Sequence, residues 1–421
     1  MEEAVSKKLT IVLLAVLIAV ICSNQIATAG GFQLNEQGAR ALGQASAFVA
    51  RAGDPSAIFF NPAGITSLPG TQVMAGATVI LPTTTFTGPT PLTIETKLEK
   101  QTFVPPNVYI TYNTSGGGNG LSFGMGVFTP YGLGTKWADT WIGRTLATET
   151  NLQSFYFNPT VAYRVSPELS VGVGFDYAIA NVTMKRKVPV HLSATMVIEG
   201  DLSLKGSGYG AGFNAGVQYK PIEMISIGAS YRSKVKVDLD GTANFNNFPA
   251  QIAAVLPGGD VSTSITMPAN YFIGVSVKPV PDLELEADYQ GIVWSSFDAL
   301  PMTFKTETAY QKSSVEPENY KNTYMIRFGA EYTMDDLQLR AGYIYDHSPV
   351  EDPYVQPLLP DANRNDFTVG VGYKVDESIQ VDVAYMLVAF KDRPITTNIH
   401  GFNGTYKSKA NLIGLDLTFK F

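Results

Sequence analysis

The 421-residue chain carries 30 Lys and Arg against 37 Asp and Glu, a formal net charge of −7, and one cysteine. That balance offers no basic surface for nucleic acid and no cysteine pairs for a disulfide scaffold. A mean hydropathy of +0.05 excludes a bundle of transmembrane helices, yet 39 Gly, 21 Tyr and 23 Phe with only 16% charged residues is unlike an ordinary soluble enzyme.

In chain order, the only long apolar run covers residues 9–22, behind Lys7 and Lys8 and ahead of Ala27-Thr28-Ala29. A basic start, a short apolar stretch and an A-x-A site predict a secretory signal peptide over residues 1–29, cut after Ala29. The run is too short for a membrane anchor, and Ile21 before Cys22 is too bulky for a lipoprotein signal. Cleavage removes Cys22, so the mature chain has no cysteine in an oxidising compartment. It also removes Glu2, Glu3, Lys7 and Lys8, which cancel, leaving the net charge at −7.

Residues 31–68 follow, rich in small side chains: Gly38, Ala39, Ala41, Gly43, Ala45, Ser46 and Ala47. They predict closely packed backbone rather than a sheet, with turns started at Asp54-Pro55 and Asn61-Pro62. A disordered tail is the other reading of this composition.

After Gly70 the side chains alternate with period two. In residues 169–179 Leu169, Val171, Val173, Phe175, Tyr177 and Ile179 interleave with Ser170, Gly172, Gly174, Asp176 and Ala178. Residues 224–239, 283–289, 379–387 and 413–421 behave alike, so each is a strand with one apolar and one polar face. Short links near 113–119, 165–168, 221–223, 279–282, 334–336 and 376–377 alternate with long ones near 84–100, 130–150, 187–205, 240–265, 297–319, 347–362 and 391–406. Six short and seven long links join fourteen strands of about 9–11 residues, the pattern of an all-β, 14-stranded antiparallel transmembrane β-barrel in an outer membrane. Such a lumen is wide enough to need filling, and the segment over 30–70 is available to fill it, with the barrel over 71–421.

On the fifth strand the alternation inverts at Asn181: Val182 and Met184 are apolar where Thr183 and Lys185 are polar. Either a bulge slips the register, or the strand leaves the hydrocarbon layer and faces an apolar inner space. In the second case Arg186 points inward. Further along, Tyr131, Leu133, Trp137 and Trp141 fall in one long outer loop. Trp137, Trp141 and Arg144 at i, i+4 and i+7 predict one face of a short helix. That face either captures amphipathic molecules or packs against a neighbouring loop or the lipid interface.

The wording of several segments is specific. GFQLNEQGARALGQA (31–45), FFNPAG (59–64), PYGLGTKWADTWIGR (130–144), YRSKVKVDLDG (231–241), LPGGDVSTSITMPANY (256–271) and AGYIYDHSPV (341–350) resemble, in order, segments of the FadL/TodX family of outer-membrane transporters for hydrophobic compounds. The resemblance implies an N-terminal plug inside the barrel, with the Asn61-Pro62-Ala63 turn beside an opening in the wall. It implies a carboxylate site made of Thr129, Arg186 and Lys321, with Phe32 of the plug and the inner-facing Val182 and Met184 against the ligand's chain. Solvated rim charge is the plain alternative for Arg186 and Lys321. The expected partners are fatty acids or hydrocarbons and outer-membrane lipid; the expected state is a monomer without cofactor or metal in the bacterial outer membrane. A general diffusion porin, an outer-membrane enzyme and an adhesin are the rivals. For the enzyme, His191, His347 and His400 show no ligand spacing, and Asp346-His347-Ser348 are neighbours whose side chains diverge on an extended chain.

Overall fold

The computed structural model describes residues 31–91, 93–115, 120–193 and 195–421; the expected signal peptide over 1–29 lies outside them. The period-two segments become fourteen antiparallel strands. These are β1 (Thr71–Thr87), β2 (Pro106–Asn113), β3 (Leu121–Phe128, continued by Gly132–Lys136), β4 (Glu149–Arg164), β5 (Leu169–His191) and β6 (Val197–Ile222). Next come β7 (Ile225–Arg232, then Val235–Asn246), β8 (Gly259–Met267, then Asn270–Val280) and β9 (Leu283–Ile292, then Ala299–Phe304). The circuit ends with β10 (Ser314–Pro317, then Thr323–Met334), β11 (Leu337–Asp346), β12 (Arg364–Lys374), β13 (Ile379–Phe390) and β14 (Gly404–Lys420). β14 pairs back onto β1 from Gln72↔Lys420 to Thr87↔Thr405. The fourteen-strand cylinder expected from the alternation therefore closes, which satisfies the backbone in lipid and leaves none of its fourteen strands at an edge within the membrane.

Strand length departs from the expectation. β5 has 23 residues and β6 has 26, against the 9–11 or so that cross a bilayer. Their ladder runs unbroken from Leu169↔Tyr219 to His191↔Val197, so most of the expected loop over 187–205 is a projecting hairpin. Outside lipid the outward face no longer has to be apolar, and the hydropathy signal ends before the hydrogen-bond ladder does. On β5 Val171, Val173, Phe175 and Tyr177 are exposed, while Ser170, Asp176, Ala178 and Ala180 are buried inward. Ten steps of ~3.3 Å from residue 169 to 179, at a tilt of ~40°, give a band about 25 Å tall, the height of an outer-membrane hydrocarbon layer.

Residues 31–68 form two short helices, α1 (Ala39–Leu42) and α2 (Ala57–Phe60), and a 3-10 turn over Pro62–Ser67. Asn61 caps that turn by accepting from the Ala63 amide, and Pro62 gives up no needed donor at its first position. The segment is buried against inward-facing residues of the strands. Phe48 and Val49 donate their amides to Asp288 Oδ2 at 2.9 and 3.2 Å, Ala50 to Glu286 Oε1 at 2.7 Å, and Ala45 to Thr368 Oγ1 at 2.9 Å. Asn214 and Gln218 donate back to the carbonyls of Ile58 and Ala50. Irregular backbone at membrane depth must find partners in the protein itself, and these inward polar positions supply them. Charges pair as well: Arg40 meets Glu331 at 2.8 Å, Arg51 meets Glu286 at 3.3 Å, and Arg340 joins Glu331 and Asp382 at 2.6 Å each. Glycines on the inner wall let the two backbones touch. A Cβ at Gly172 would lie 2.6 Å from the Pro62 carbonyl carbon, and one at Gly342 would lie 2.6 Å from the Gln44 carbonyl carbon.

Candidate ligand cavity

The parity inversion on β5 is resolved by register. Every pair from Leu169 to His191 keeps one register with β6, so no bulge intervenes and even-numbered side chains face inward throughout. Val182 and Met184 therefore point inward beyond the apolar outer band. They line a cavity of about 230 Å³ among the outer ends of β4 to β10. Cross-strand partners carry an inner row around the wall: Leu152↔Val182, Val182↔Gly206, Gly206↔Gly241 and Gly241↔Val261. The two glycines leave a hollow between apolar neighbours. Leu133, Ile265, Phe297, Leu300 and Met302 extend the apolar wall, and Phe32 from the leading segment contributes to it.

Phe32 is anchored by three edge-on rings, Tyr131, Trp294 and Phe297, at centroid distances of 6.1, 4.6 and 5.5 Å. Its backbone meets β3 where that strand is broken: Leu34 donates to Pro130 O at 2.8 Å and Gly132 donates to Phe32 O at 3.0 Å. At this break three residues, 129–131, stand opposite two, because Phe128 pairs with Tyr156 whereas Gly132 pairs with Gln153. That is a β-bulge, and the Ser154 hydroxyl donates to the Tyr131 carbonyl at 2.7 Å beside it.

The cavity's polar wall holds Arg186, Glu316, Glu318, Gln356 and His400. Arg186 makes no hydrogen bond or ion pair among the described residues. It is an exposed residue at the outer edge of this wall. Partial desolvation of its guanidinium holds it below the ordinary value, while the charge of Glu316 pulls it up. Glu316 Oε1 accepts from Gln356 Nε2 at 3.1 Å and lies 2.7 Å from His400 Nε2. Glu318 is 2% exposed, and burial, aided by the charge of Glu316, pushes its pKa up to about 8.

The other residues singled out in the sequence lie elsewhere. Thr129 sits at the β3 break, where its carbonyl accepts from Gln37 Nε2 at 2.8 Å and its buried hydroxyl has no partner among the described residues; it does not line the cavity. Lys321 is exposed and lies 3.4 Å from Glu351, so the structure does not bring it to Arg186. Neither Trp137 nor Trp141 lies on the expected helix: Trp137 directly follows β3, its amide donating to Thr148 O at 2.8 Å, and Trp141 stands at a bend within the turns at 139–146. They stack at 4.2 Å and donate to Pro357 O and Ala147 O, with Trp141 against Phe86 and Phe402, so the packing alternative describes them. Tyr131 is buried, with its hydroxyl donating to Pro268 O at 3.0 Å. Asn61 Nδ2 donates to Val49 O and Val217 O at 2.8 and 3.0 Å, and Pro62 and Ala63 rest on Gly172. The β5–β6 ladder behind that turn is unbroken. Among the described residues, pairing is interrupted at 129–131 on β3 and between β6 and β7, where 210–213 stand opposite 233–237. Asp346, His347 and Ser348 turn to Arg364, Thr323 and Asp361 respectively.

Residues 20–421 match the family described as outer membrane protein transport protein (OMPP1/FadL/TodX). The chain belongs to this family. A long-chain fatty acid transport protein of Salmonella typhi is 28% identical over 97% of this chain and 98% of its own. A Pseudomonas aeruginosa FadL homologue superposes with a TM-score of 0.83 at 20% identity, covering 93% of this chain and 100% of that one. The Ralstonia pickettii toluene transporter TbuX superposes at 0.70 with 19% identity, covering 91% and 98%. The protein is thus an outer-membrane β-barrel of a family of transporters. Within this FadL/TodX barrel, sequence reasoning missed Glu316, Glu318 and His400. The signal was present: Ser314-Val315-Glu316-Pro317-Glu318 places two carboxyl groups two residues apart, on one face of an extended chain.

Proposed function

We propose that the protein takes up long-chain fatty acids and similar amphiphiles passively across the outer membrane, working as a monomer without a catalytic step. The observation that carries the reading is the cavity: an apolar space beyond the lipid band, with one unpartnered guanidinium and an aromatic wall provided by the leading segment. An acyl chain settles against Val182, Met184 and Phe32, and the head group meets Arg186 through a charge-assisted hydrogen bond worth about 1.5–3 kcal/mol. Residues 31–68 act as a plug that denies the solute a straight aqueous path. Displacement of Phe32 and Leu34 from the β3 break opens a sideways route into the bilayer.

Uptake of uncharged hydrocarbons is the second reading. It is favoured by the placement of Lys321 on Glu351, which leaves Arg186 without the second inward-facing cation that a carboxylate clamp would use. A general porin is disfavoured by the buried segment across the lumen. Uptake of labelled oleate, alkane, toluene and sucrose into proteoliposomes separates these. Oleate uptake that Arg186→Ala weakens, with toluene uptake intact, is expected. Sucrose uptake without the other three overturns the reading, and equal loss of oleate and toluene removes the head-group role of Arg186.

A further inference from the structure

Arg186 on β5 does not face an all-cationic cradle. Across the cavity the first half of β10 presents Glu316, whose charge acts on the guanidinium and which Gln356 and His400 hold in place. Two residues on, Glu318 is almost wholly buried in the same wall, and its carboxyl group accepts no hydrogen bond among the described residues. The other nearby ionisable groups do not change this balance. Lys185 and Lys205 also border the cavity, but both occupy outward register positions, Lys185 held by Glu149 at 2.7 Å and Lys205 exposed. Tyr320 is buried in the aromatic cluster with Trp294 and Phe297. Among the inward-facing groups, the polar wall therefore sets one guanidinium against two carboxyl groups.

We propose that Glu316 and Glu318 set the head-group specificity of this cavity, selecting amphiphiles whose head is uncharged and donates a hydrogen bond over amphiphiles with a free carboxylate. This rests on the transport reading above. A hydroxyl head accepts from Arg186 and donates to a carboxyl oxygen, so each group is satisfied. A carboxylate head accepts from Arg186 but has no proton for Glu316. It also meets a second negative charge once Glu318, with its pKa near 8, ionises. Fatty acids accordingly enter this cavity best as the protonated acid.

The full-length chain in phosphatidylcholine vesicles tests this with two probes of equal chain length, 11-bromoundecanol and 11-bromoundecanoate. Bromine quenching of Trp294, which packs on Phe32, reports occupancy, and a Trp294→Phe chain supplies the background. At pH 9 the alcohol is expected to bind about tenfold more tightly than the carboxylate, with the gap narrowing toward pH 6. The Glu316→Gln/Glu318→Gln double variant is expected to bring the ratio at pH 9 close to one. Equal or tighter carboxylate binding by the unmodified chain at pH 9, or an unchanged ratio in a folded double variant, overturns the inference. Should the double variant fail to fold, the pH series on the unmodified chain decides alone: a ratio independent of pH overturns it. Absence of quenching by both probes, with no uptake of either, ends the transport reading itself.

Discussion

Replacing Phe32 with alanine tests whether the start of the leading segment is held by its aromatic contacts or by the rest of the segment. Phe32 is 4% exposed and touches Tyr131, Trp294 and Phe297 edge-on. Deleting a ring so buried costs about 3–5 kcal/mol. Three edge contacts, worth about 0.5–1.5 kcal/mol each beyond area burial, supply a large share of that. The loss falls on the local pairing of residues 32–34 with the β3 break. Further along, Phe48, Val49 and Ala50 are tied separately to Asp288 and Glu286. Hydrogen exchange in micelles reads the two parts independently. The amides of Leu34 and Gly132, which bridge the segment and the break, are expected to lose protection by roughly 10²-fold or more, as about 3 kcal/mol requires. Those of Phe48 and Val49 are expected to keep theirs. Unchanged protection at Leu34 and Gly132 refutes the aromatic anchor. Loss extending equally to Val49 refutes independent opening, because the whole segment then moves as one body.

Gly172→Ala places a methyl group 2.6 Å from the Pro62 backbone, which cannot yield as a flexible side chain would. Displacement of the Asn61-Pro62-Ala63 turn is expected, read as increased single-channel conductance in planar bilayers; conductance equal to that of the unmodified chain contradicts the tight seating. Glu331→Leu leaves Arg40 without its carboxylate and Arg340 with Asp382 alone. A destabilisation of about 3–5 kcal/mol is expected from the urea midpoint in micelles, and a change below about 1 kcal/mol contradicts the network's role.

The barrel was legible because lipid enforces one rule along each strand: apolar outward, polar inward. Where lipid ends, so does the rule. β5 and β6 continue as a ladder through residues that read as loop, and the first half of β10 hid inside the expected loop over 297–319. Glu316 and Glu318 were obscured with it, although their spacing was in plain view. The leading segment's small residues pointed to close packing, and Ala45 and Ser46 adopt positive φ of 59° and 55° in the tight turn after α1. Its partners were not legible, because Asp288, Glu286 and Thr368 lie more than 230 positions away along the chain. The i, i+4 spacing of Trp137 and Trp141 misled for a different reason. A ring at the end of a strand and one at the bend that follows can stack at the same spacing as two on a helix.

The unbroken register of β5 also fixes where the cavity stands relative to the membrane. Its outward residues change from Val, Phe and Tyr to Asn181, Thr183 and Lys185 while its inward ones stay in step, so one strand marks both the lipid boundary and the cavity wall. Across the ladder Tyr156 pairs with Ala178 and Gln153 with Asn181, and these same two residues of β4 pair with Phe128 and Gly132, the flanks of the β3 break. The bulge at 129–131 therefore lies level with the stretch where β5's outer face turns from apolar to polar. On the proposed route, a solute leaving the cavity past Phe32 meets the wall's interruption at the outer edge of the hydrocarbon band. On that proposal, an opening at that height would discharge an acyl chain into lipid without crossing the charged layer of Arg40, Arg51, Arg340 and their carboxylates. A route straight down the lumen would have to pass that layer, where each displaced ion pair leaves a buried charge unpaired. The proposed exit through the side of the barrel avoids that cost.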